Sequence, residues 1–453
     1  MMPVSHVNPI RPWVVRAMLA AGALISLSLV VYASFVPLNY TPKPFDETVV
    51  EFKKTPWFQL GIERRADWVA NGLIMIPAGF LAAGAMDWRR KRRWLLLLAS
   101  PFIVAFLVAT VFAIEFVQIW FPPRVVSQND IIAGVIGSFA GVLLWWLAGR
   151  SLLSQLEQFL LSEPGLTKWK LLMNFGVIGL WIYNLMPLDV LISLAELREK
   201  WDAGSIRVVP FEDFQLSRKA ILFLAIAGAR LVPYAFVTTL QNGMRYALAQ
   251  GLSLAFLIEI VKVPIHSRPA SATGVVATVL GVVFVTLGAT TIMRWLALLD
   301  RPVVWFMGVV GWTGVMLVGF LGRFDSIERD PVAIEQRLQG ILVVPFARAH
   351  SSSEFEAGEN ILVKLVVFGA LTFLLSGWCS RQRTKTTSRI AALVSILCCV
   401  VLGLGIEVAQ VFLLPLVPDA TDFILYGLGA LLGVLGFRMM IPAVGWVEVR
   451  KPP

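Results

Sequence analysis

Residues 95–120 read LLLLASPFIVAFLVATVFAIEFVQIW, and Glu115 is the only charged residue among them. A helix of this length is about 39 Å long, which exceeds the roughly 30 Å thickness of a bilayer's hydrocarbon core. Lipid offers no partner for free backbone N–H and C=O groups, so a segment this apolar is predicted to cross the membrane as an α-helix. The stretch therefore predicts an integral membrane protein with a carboxylate inside one of its spans.

The rest of the chain has the same character. Of its 453 residues 57% are hydrophobic and only 15% are charged, and the mean hydropathy is +0.76. These values exclude an ordinary soluble domain and predict an all-α, polytopic membrane helix bundle. We predict about twelve transmembrane helices, at residues 14–36, 68–86, 95–120, 130–148, 171–195, 219–240, 246–264, 272–293, 302–321, 361–378, 390–414 and 421–440.

Basic residues mark alternate loops, most strongly in WRRKRR at 88–93 and RQRTKTTSR at 381–389. The positive-inside rule places these loops in the cytoplasm, and twelve spans then put both termini there too. We therefore expect a multi-pass protein of the bacterial cytoplasmic (inner) membrane. The net charge of +10 is explained by topology and contact with anionic lipids, so nucleic acid is not expected as a partner.

Cofactor, metal and disulfide chemistry are not indicated. The three cysteines, Cys379, Cys398 and Cys399, lie at a cytoplasmic end or inside a span, where an external disulfide does not form. The three histidines are scattered, and the chain has no P-loop, dinucleotide-binding fingerprint or HExxH motif. We expect no cofactor and no metal.

The Glu115 segment is nearly repeated towards the C-terminus. EFVQ starts at Glu115 and EVAQ at Glu407, and an aspartate follows each glutamate by fifteen positions, as Asp130 and Asp422. Matched glycines follow in both copies, at Gly137, Gly141, Gly429 and Gly433. A weaker copy lies between them: Glu259 holds the acid position, Lys262 replaces the glutamine, Arg268 lies in the following loop, and Thr273 or Gly274 stands near the place of the aspartate.

These copies predict three parallel four-helix repeats, at residues 1–150, 165–295 and 300–442, the middle one degenerate. An even number of spans in each repeat gives all three one orientation, unlike the inverted repeats of many transporters. Each repeat also has an external loop with a segment of amphipathic character, FDETVVEFKKT, VLISLAELREK or PVAIEQRLQGIL. Such a helix lies either in the membrane interface or on top of the bundle, and the sequence leaves both interpretations open.

The sequence resembles the VanZ-like family of bacterial membrane proteins. The resemblance rests on Glu115-x-x-Gln118, Pro123-Arg124, Asp130 and Gly137, on Asn71, Pro77 and Gly79 upstream, and on Glu407-x-x-Gln410, Asp422 and Gly429. It covers residues 30–148 and 305–437 well and 185–290 loosely. The family is named for a role in resistance to the glycopeptide antibiotic teicoplanin, so the resemblance implies a function in the cell envelope more than it implies a reaction.

Several positions depart from the family's pattern. The polar residue often found four positions after the aspartate is Gly134 in the first repeat and Tyr426 in the third. The third repeat has no arginine just before its aspartate and has Asp419 nearby instead, and the middle repeat has lost both the glutamine and the aspartate. Most members of the family carry a single unit, so three units are themselves a departure.

Ionisable residues inside a membrane span are costly and point to function. Two interpretations of Glu115 remain open: a structural ion pair with Arg124, Arg64 or Arg65, or a polar pocket in the outer half of the membrane. In the pocket, Glu115 and Gln118 share one helix face and bind a sugar, amide or amine, while arginines bind a phosphate. We take the following as candidate ligand-binding residues: Arg64, Arg65, Asp67, Asn71, Glu115, Gln118, Arg124, Asp130, Glu259, Lys262, Arg268, Glu407, Gln410, Asp419 and Asp422.

Simpler structural roles compete with these. Asp130 and Asp422 precede apolar runs and are favoured as helix N-caps. Asp67 and Arg65 form a plausible salt bridge of small energy, and Asn71 either bonds a neighbouring helix or faces Glu115.

Three functions remain open at this stage. The first is binding of a lipid-linked envelope glycan or peptidoglycan precursor, with membrane lipids and a polyprenyl-phosphate-linked glycan as partners. The second is a transporter or flippase. The third is an intramembrane enzyme with paired carboxylates. The sequence does not decide whether the protein is an enzyme, and it names no protein partner.

Overall fold

The computed structural model describes residues 12–59, 61–87, 93–212, 217–296, 301–322, 325–339, 344–346, 354–380 and 387–441. It is an all-α bundle, as predicted. The basic clusters at 88–92 and 381–386, which carry much of the topology prediction, lie outside the described residues.

The first part of the chain forms helices α1 to α7 and a π-helical turn. They are α1 (Pro12–Phe35), α2 (Phe45–Lys53), α3 (Ile62–Leu73), α4 (Ile76–Met86), α5 (Arg93–Gln118), α6 (Gln128–Leu144), the π-helical turn Trp145–Gly149 and α7 (Arg150–Leu161).

Eleven further helices and four two-residue strands follow. The helices are α8 (Leu166–Leu185), α9 (Leu194–Asp202), α10 (Arg218–Ala229), α11 (Val232–Asn242), α12 (Met244–Lys262), α13 (Ala272–Leu296), α14 (Pro302–Leu321), α15 (Pro331–Gln339), α16 (Glu354–Ser380), α17 (Thr387–Phe412) and α18 (Ala420–Met440). Strand β1 (Ile206–Arg207) pairs in parallel with β2 (Ala270–Ser271), and β3 (Ser326–Ile327) pairs antiparallel with β4 (Leu413–Leu414).

Among the described residues, eleven helical segments are long and apolar enough to cross a membrane, so the chain is a multi-pass membrane protein. They are residues 13–35, 64–86, 94–118, 128–161, 220–242, 244–262, 272–294, 302–321, 357–380, 392–412 and 420–440. The predicted span 171–195 is the exception. Its helix, α8, runs from Leu166 to Leu185 and ends ten residues early; it begins LTKWK, with two lysines in its first turns, and is not one of the eleven.

Contacts divide the chain into two compact bodies. The first comprises residues 1–162, 174–228 and 253–279, and the second comprises 163–173, 229–252 and 280–453. Within the first body, α4 packs against α1 and α6, and α5 packs against α4 and α6. Within the second, α16 packs against α14 and α18, and α17 packs against both α16 and α18. The first and third repeats therefore have the same four-helix arrangement.

Matched glycines bring the fourth helix of each of these repeats close to its neighbour. A Cβ atom on Gly137 would lie 1.9 Å from the Gly72 carbonyl oxygen, and one on Gly429 would lie 2.7 Å from the Leu365 oxygen. A side chain at these positions would overlap the backbone of the facing helix. The glycines therefore allow close contact between these helices, as small residues commonly do in membrane proteins.

The three short helices pack on protein. Phe45 and Phe52 of α2 contact the Phe116 ring. Lys200 of α9 donates to four backbone carbonyls at the end of α12 and in the turn after it. Arg337 of α15 donates to four at the end of α17 and just beyond it. These contacts favour the interpretation that the helices cap the bundle.

Candidate functional site

The glutamate of each of the three predicted repeats interacts with a backbone N–H at the start of the following helix. Glu407 accepts from the Asp419 backbone N–H at 2.8 Å, and Glu259 accepts from the Ser271 N–H at 3.1 Å. In the first repeat the corresponding backbone group, the Ser127 N–H, interacts electrostatically with the Glu115 carboxylate. In each case the donor lies twelve residues after the glutamate, at a helix start whose N–H groups lack intrahelical partners. One carboxylate oxygen therefore has a structural role in every copy.

The second carboxylate oxygen of the glutamate has a different hydrogen-bond environment in each repeat. Lys262 donates to Glu259 at 2.9 Å, and the Tyr426 hydroxyl donates to Glu407 at 2.6 Å. In the first repeat, Glu115 Oε2 has no hydrogen-bond partner among the described residues, although the residue is only 8% exposed. A buried, unpartnered carboxylate oxygen inside a membrane span is energetically costly. Of the two interpretations left open for Glu115, the structural ion pair leaves this atom without a partner.

Asp130 lies beside Glu115 but is not the helix cap. The N-cap of α6 is Ser127, whose hydroxyl accepts from the Asp130 N–H at 3.1 Å and donates to Asp130 Oδ2 at 2.6 Å. The N-cap prediction for Asp130 is therefore wrong by three positions. The second oxygen of Asp130 accepts from Asn71 Nδ2 at 2.6 Å, so Asn71 bonds a neighbouring helix at the acid site.

In the third repeat, too, the N-cap lies three residues before the predicted aspartate, but that aspartate has a different partner. Asp419, not Asp422, is the N-cap of α18 and accepts from the Thr421 N–H at 2.8 Å. The Asp422 carboxylate forms a buried salt bridge with Lys364, and the Tyr426 hydroxyl lies 3.4 Å from its other oxygen. Lys364 thus stands where the first repeat has Asn71. The sequence prediction did not include Lys364 in the site, although it is a charged residue within the apolar run 361–378.

In the first and middle repeats, the arginine that follows the glutamate, Arg124 or Arg268, donates hydrogen bonds to carbonyls at the end of the repeat's first helix. Arg124 donates to the carbonyls of Val36 and Ala33, at 3.0 and 2.5 Å. Arg268 donates to the equivalent carbonyls of Met186 and Tyr183, at 2.7 and 3.0 Å, and lies over the Tyr183 ring. These bonds are structural, and they are the same in the first and middle repeats.

Arg64 and Arg65, the two basic residues before Asn71, have different contacts. Arg65 binds Glu196 at 2.9 and 3.0 Å and the Val190 carbonyl at 3.0 Å. The expected Arg65–Asp67 bridge is therefore wrong. The hydrogen bond from the Arg65 guanidinium lowers the pKa of Glu196 to about 2. Arg64 is exposed and lies 4.9 Å from the centre of the Phe58 ring, and Asp67 is exposed too.

The two predicted glutamines are buried beside their acids. Gln118 donates to the Ser34 carbonyl at 2.9 Å and so ties α5 to the end of α1. The backbone carbonyl of Gln410 accepts from Arg337.

A loop phenylalanine with a shared hydrogen bond is a further common feature of the three predicted repeats. The backbone N–H groups of Phe58, Phe211 and Phe346 donate to the side chains of Asn129, Thr273 and Thr421, at 2.8, 2.8 and 2.7 Å. The signal is a proline shortly before each phenylalanine, in TPWF and the two VVPF motifs. The match shows that Thr273 corresponds to Asn129, so Gly274 holds the position of Asp130.

Comparison with known protein families gives a match that covers both the Glu115 and the Glu407 sites. The protein-family model described as VanZ/LLP1 matches residues 17–149 and 308–441, which together make up more than half of the chain. The chain belongs to the VanZ family. The two matched regions contain the Glu115 and Glu407 sites, and the predicted middle repeat at 165–295 lies outside both. No curated protein and no solved structure was found to match the chain.

The site of this VanZ-family protein is suited to binding. The described residues contain no group of three or more histidine, cysteine or acidic side chains placed to hold a metal ion. Glu115 instead offers one buried acceptor next to Asp130, whose own oxygens are bonded to Ser127 and Asn71. Such an arrangement can accept a hydrogen bond or a positive charge from a ligand.

Proposed function

We propose that this VanZ-family protein binds the headgroup of a lipid-linked cell-envelope glycan or peptidoglycan precursor at Glu115 in the first repeat. By this binding it would contribute to envelope resistance of the glycopeptide type. The carrying observation is Glu115 Oε2, which is buried in a spanning helix and has no partner among the described residues. A donor group on a ligand would remove the cost of burying that oxygen unpaired.

The charge pattern supports a site in the outer leaflet of the cytoplasmic membrane. The basic cluster at 88–93 comes just before α5, and Glu115 lies near the far end of that helix. Placing the basic residues in the cytoplasm puts Glu115 in the outer half of the bilayer. Lipid-linked precursors present their headgroups there after translocation.

An apolar groove on the first body supports a ligand with a hydrocarbon chain. It has a volume of about 850 Å³ and lies between α1, α4 and α5, with Ala20, Ala82 and Phe102 among its lining residues. Leu107, at one end of the groove, precedes Glu115 by eight residues, or about 12 Å along the helix. A lipid with its headgroup at Glu115 could lay its chain along this groove.

Native mass spectrometry with lipid extraction tests the proposal. Glu115→Gln and Glu407→Gln are a matched pair, since each keeps an acceptor for the anchoring N–H of the next helix. We expect a polyprenyl-phosphate species bound to the wild type, lost from Glu115→Gln and kept by Glu407→Gln. Absence of the species from the wild type, or its full retention by Glu115→Gln, would overturn the proposal.

We also infer that residues 165–295 are a degenerate third copy of the VanZ unit. Glu259 anchors Ser271 as Glu407 anchors Asp419. Lys200 and Arg337 both occupy the seventh position of a nine-residue helix and bind matching carbonyls. Gly274 in place of the aspartate then explains why the copy has no acid pair, and Lys262 in place of the glutamine pairs with the remaining acid, Glu259.

A further inference from the structure

We propose that the Glu115 site binds an ammonium group of its ligand. In the other two repeats a lysine side chain of the protein itself supplies this cation. The inference rests on the proposed function and deepens it by naming the chemical class of the headgroup. It concerns a primary amine, such as the amino group of a peptide, an amino sugar or an aminophospholipid.

The middle and third repeats each place a lysine on a buried acid. In the middle repeat Lys262 lies 2.9 Å from Glu259. In the third repeat Lys364 forms a salt bridge with Asp422. Both lysines are almost fully removed from solvent at their side chains. Two repeats therefore hold an ammonium group directly against a buried carboxylate.

The first repeat has the acids without the ammonium. Gln118 holds the position of Lys262, three residues after the glutamate, and Asn71 holds the position of Lys364. Arg124 is the cation whose field reaches Glu115, and its guanidinium is hydrogen-bonded to the carbonyls of Val36 and Ala33. The Arg124 guanidinium is thus already engaged with backbone carbonyls, and it gives no hydrogen bond to Glu115 Oε2.

The unpaired oxygen of the first repeat belongs to Glu115. Asp130 is satisfied by Asn71 and Ser127, both neutral donors. Glu115 Oε2 has no partner among the described residues, and the residue is more than nine-tenths buried. A buried carboxylate is stabilised strongly by an ion pair with hydrogen bonding, and an ammonium group supplies both. The Glu259 carboxylate of the middle repeat receives the Lys262 ammonium.

The middle repeat also provides the design of a decisive variant. Gln118→Lys copies the Glu259–Lys262 arrangement, an i, i+3 pair that the fold already accommodates. The new ammonium would pair with Glu115 Oε2 and exclude a ligand amine. Gln118→Met is the matched control, because it removes the same amide and its bond to Ser34 without adding a charge.

The experiment measures binding of dodecylamine and of dodecanol, its uncharged hydroxyl analogue, to protein in phosphatidylglycerol nanodiscs. We expect the wild type to bind dodecylamine at least about tenfold more tightly than dodecanol. Gln118→Lys should lose that preference while remaining as stable as Gln118→Met or more so. Equal affinity of the wild type for the two probes, or an unchanged preference in Gln118→Lys, would overturn the inference.

A second arm separates the sources of the amine. The wild type in nanodiscs containing phosphatidylethanolamine is analysed by native mass spectrometry beside Gln118→Lys. Retention of phosphatidylethanolamine by the wild type alone would support the ammonium site and, if no polyprenyl phosphate copurifies, defeat the envelope-precursor proposal. Binding of a polyprenyl-phosphate species without any preference for amines would support the envelope-precursor proposal and overturn the ammonium site.

Discussion

The Tyr426 hydroxyl donates a hydrogen bond of 2.6 Å to Glu407, and both side chains are almost completely buried. The Tyr426 ring also stacks on Phe368, with ring centres 3.9 Å apart. The third repeat therefore closes its own acid site with a side chain. The first repeat has Gly134 at that position, packed against Val111.

Tyr426→Phe should lower the free energy of unfolding by about 1–3 kcal/mol, because it leaves a buried Glu407 oxygen without a donor. The ring packing is kept, so the decrease in the free energy of unfolding reports the contribution of the hydroxyl group alone. Thermal unfolding in detergent micelles checks it. Tyr40→Phe, at a side chain that is 62% exposed, is the control, and an equal effect of the two changes would contradict the prediction.

Lys200→Met should destabilise the protein by on the order of 3 kcal/mol, because four carbonyls lose a charged donor. Lys200→Arg should stay close to the wild type, since Arg337 serves the matching carbonyls in the third repeat. Unfolding in chemical denaturant separates the two variants. Similar losses in both would mean that the carbonyls do not depend on a cation.

The Arg65–Glu196 salt bridge predicts a dependence of stability on pH. The pKa of Glu196 is lowered from 4.5 to about 2, first by the hydrogen bond from Arg65. A lowered acid pKa contributes stability above the unfolded value, and this contribution is lost as the pH falls from about 4.5 to about 2. The gap in melting temperature between the wild type and Glu196→Gln should therefore shrink across this window. Glu47→Gln, at an exposed position of α2, provides the comparison, and a gap that does not change with pH would contradict the assignment.

Gly137→Ala should cost about 1–3 kcal/mol of stability or prevent folding, because the added methyl group meets the Gly72 carbonyl. Gly405→Ala is the control, since nothing lies within 4 Å of the position that its Cβ would take. Expression level and melting temperature of the two variants give the comparison. Equal behaviour would show that α6 can move away from α3 at little cost.

Local patterns in the sequence were sufficient for much of the fold. Apolar runs located the spans because the bilayer imposes their length, and the Glu–Asp spacing located the matching sites of the first and third repeats. The end of α8 was misplaced because the apolar run continues past Leu185 into a turn. The N-caps were misplaced because Ser127 and Asp419 lie three residues before the more conspicuous aspartates.

Pairings distant in sequence could not be predicted from spacing. Arg65 and Glu196 are 131 positions apart, and the neighbouring Asp67 offered a closer and incorrect partner. Lys364 and Asp422 are 58 positions apart on different helices. Such pairs depend on which helix faces meet, and a membrane helix that is apolar on all sides gives no amphipathic signal for that.

The interaction by which each glutamate accepts from a backbone N–H at the start of the next helix has a consequence for how duplicated units diverge. Because the acid holds two helices together, a copy that stops binding a ligand cannot discard it without losing its shape. The middle repeat illustrates this, having kept Glu259 while losing the aspartate and the glutamine. In a chain of this kind the glutamate therefore marks an intact scaffold. The partner of its second oxygen, which is Lys262 for Glu259, Tyr426 for Glu407 and no described residue for Glu115, decides whether a ligand can bind there.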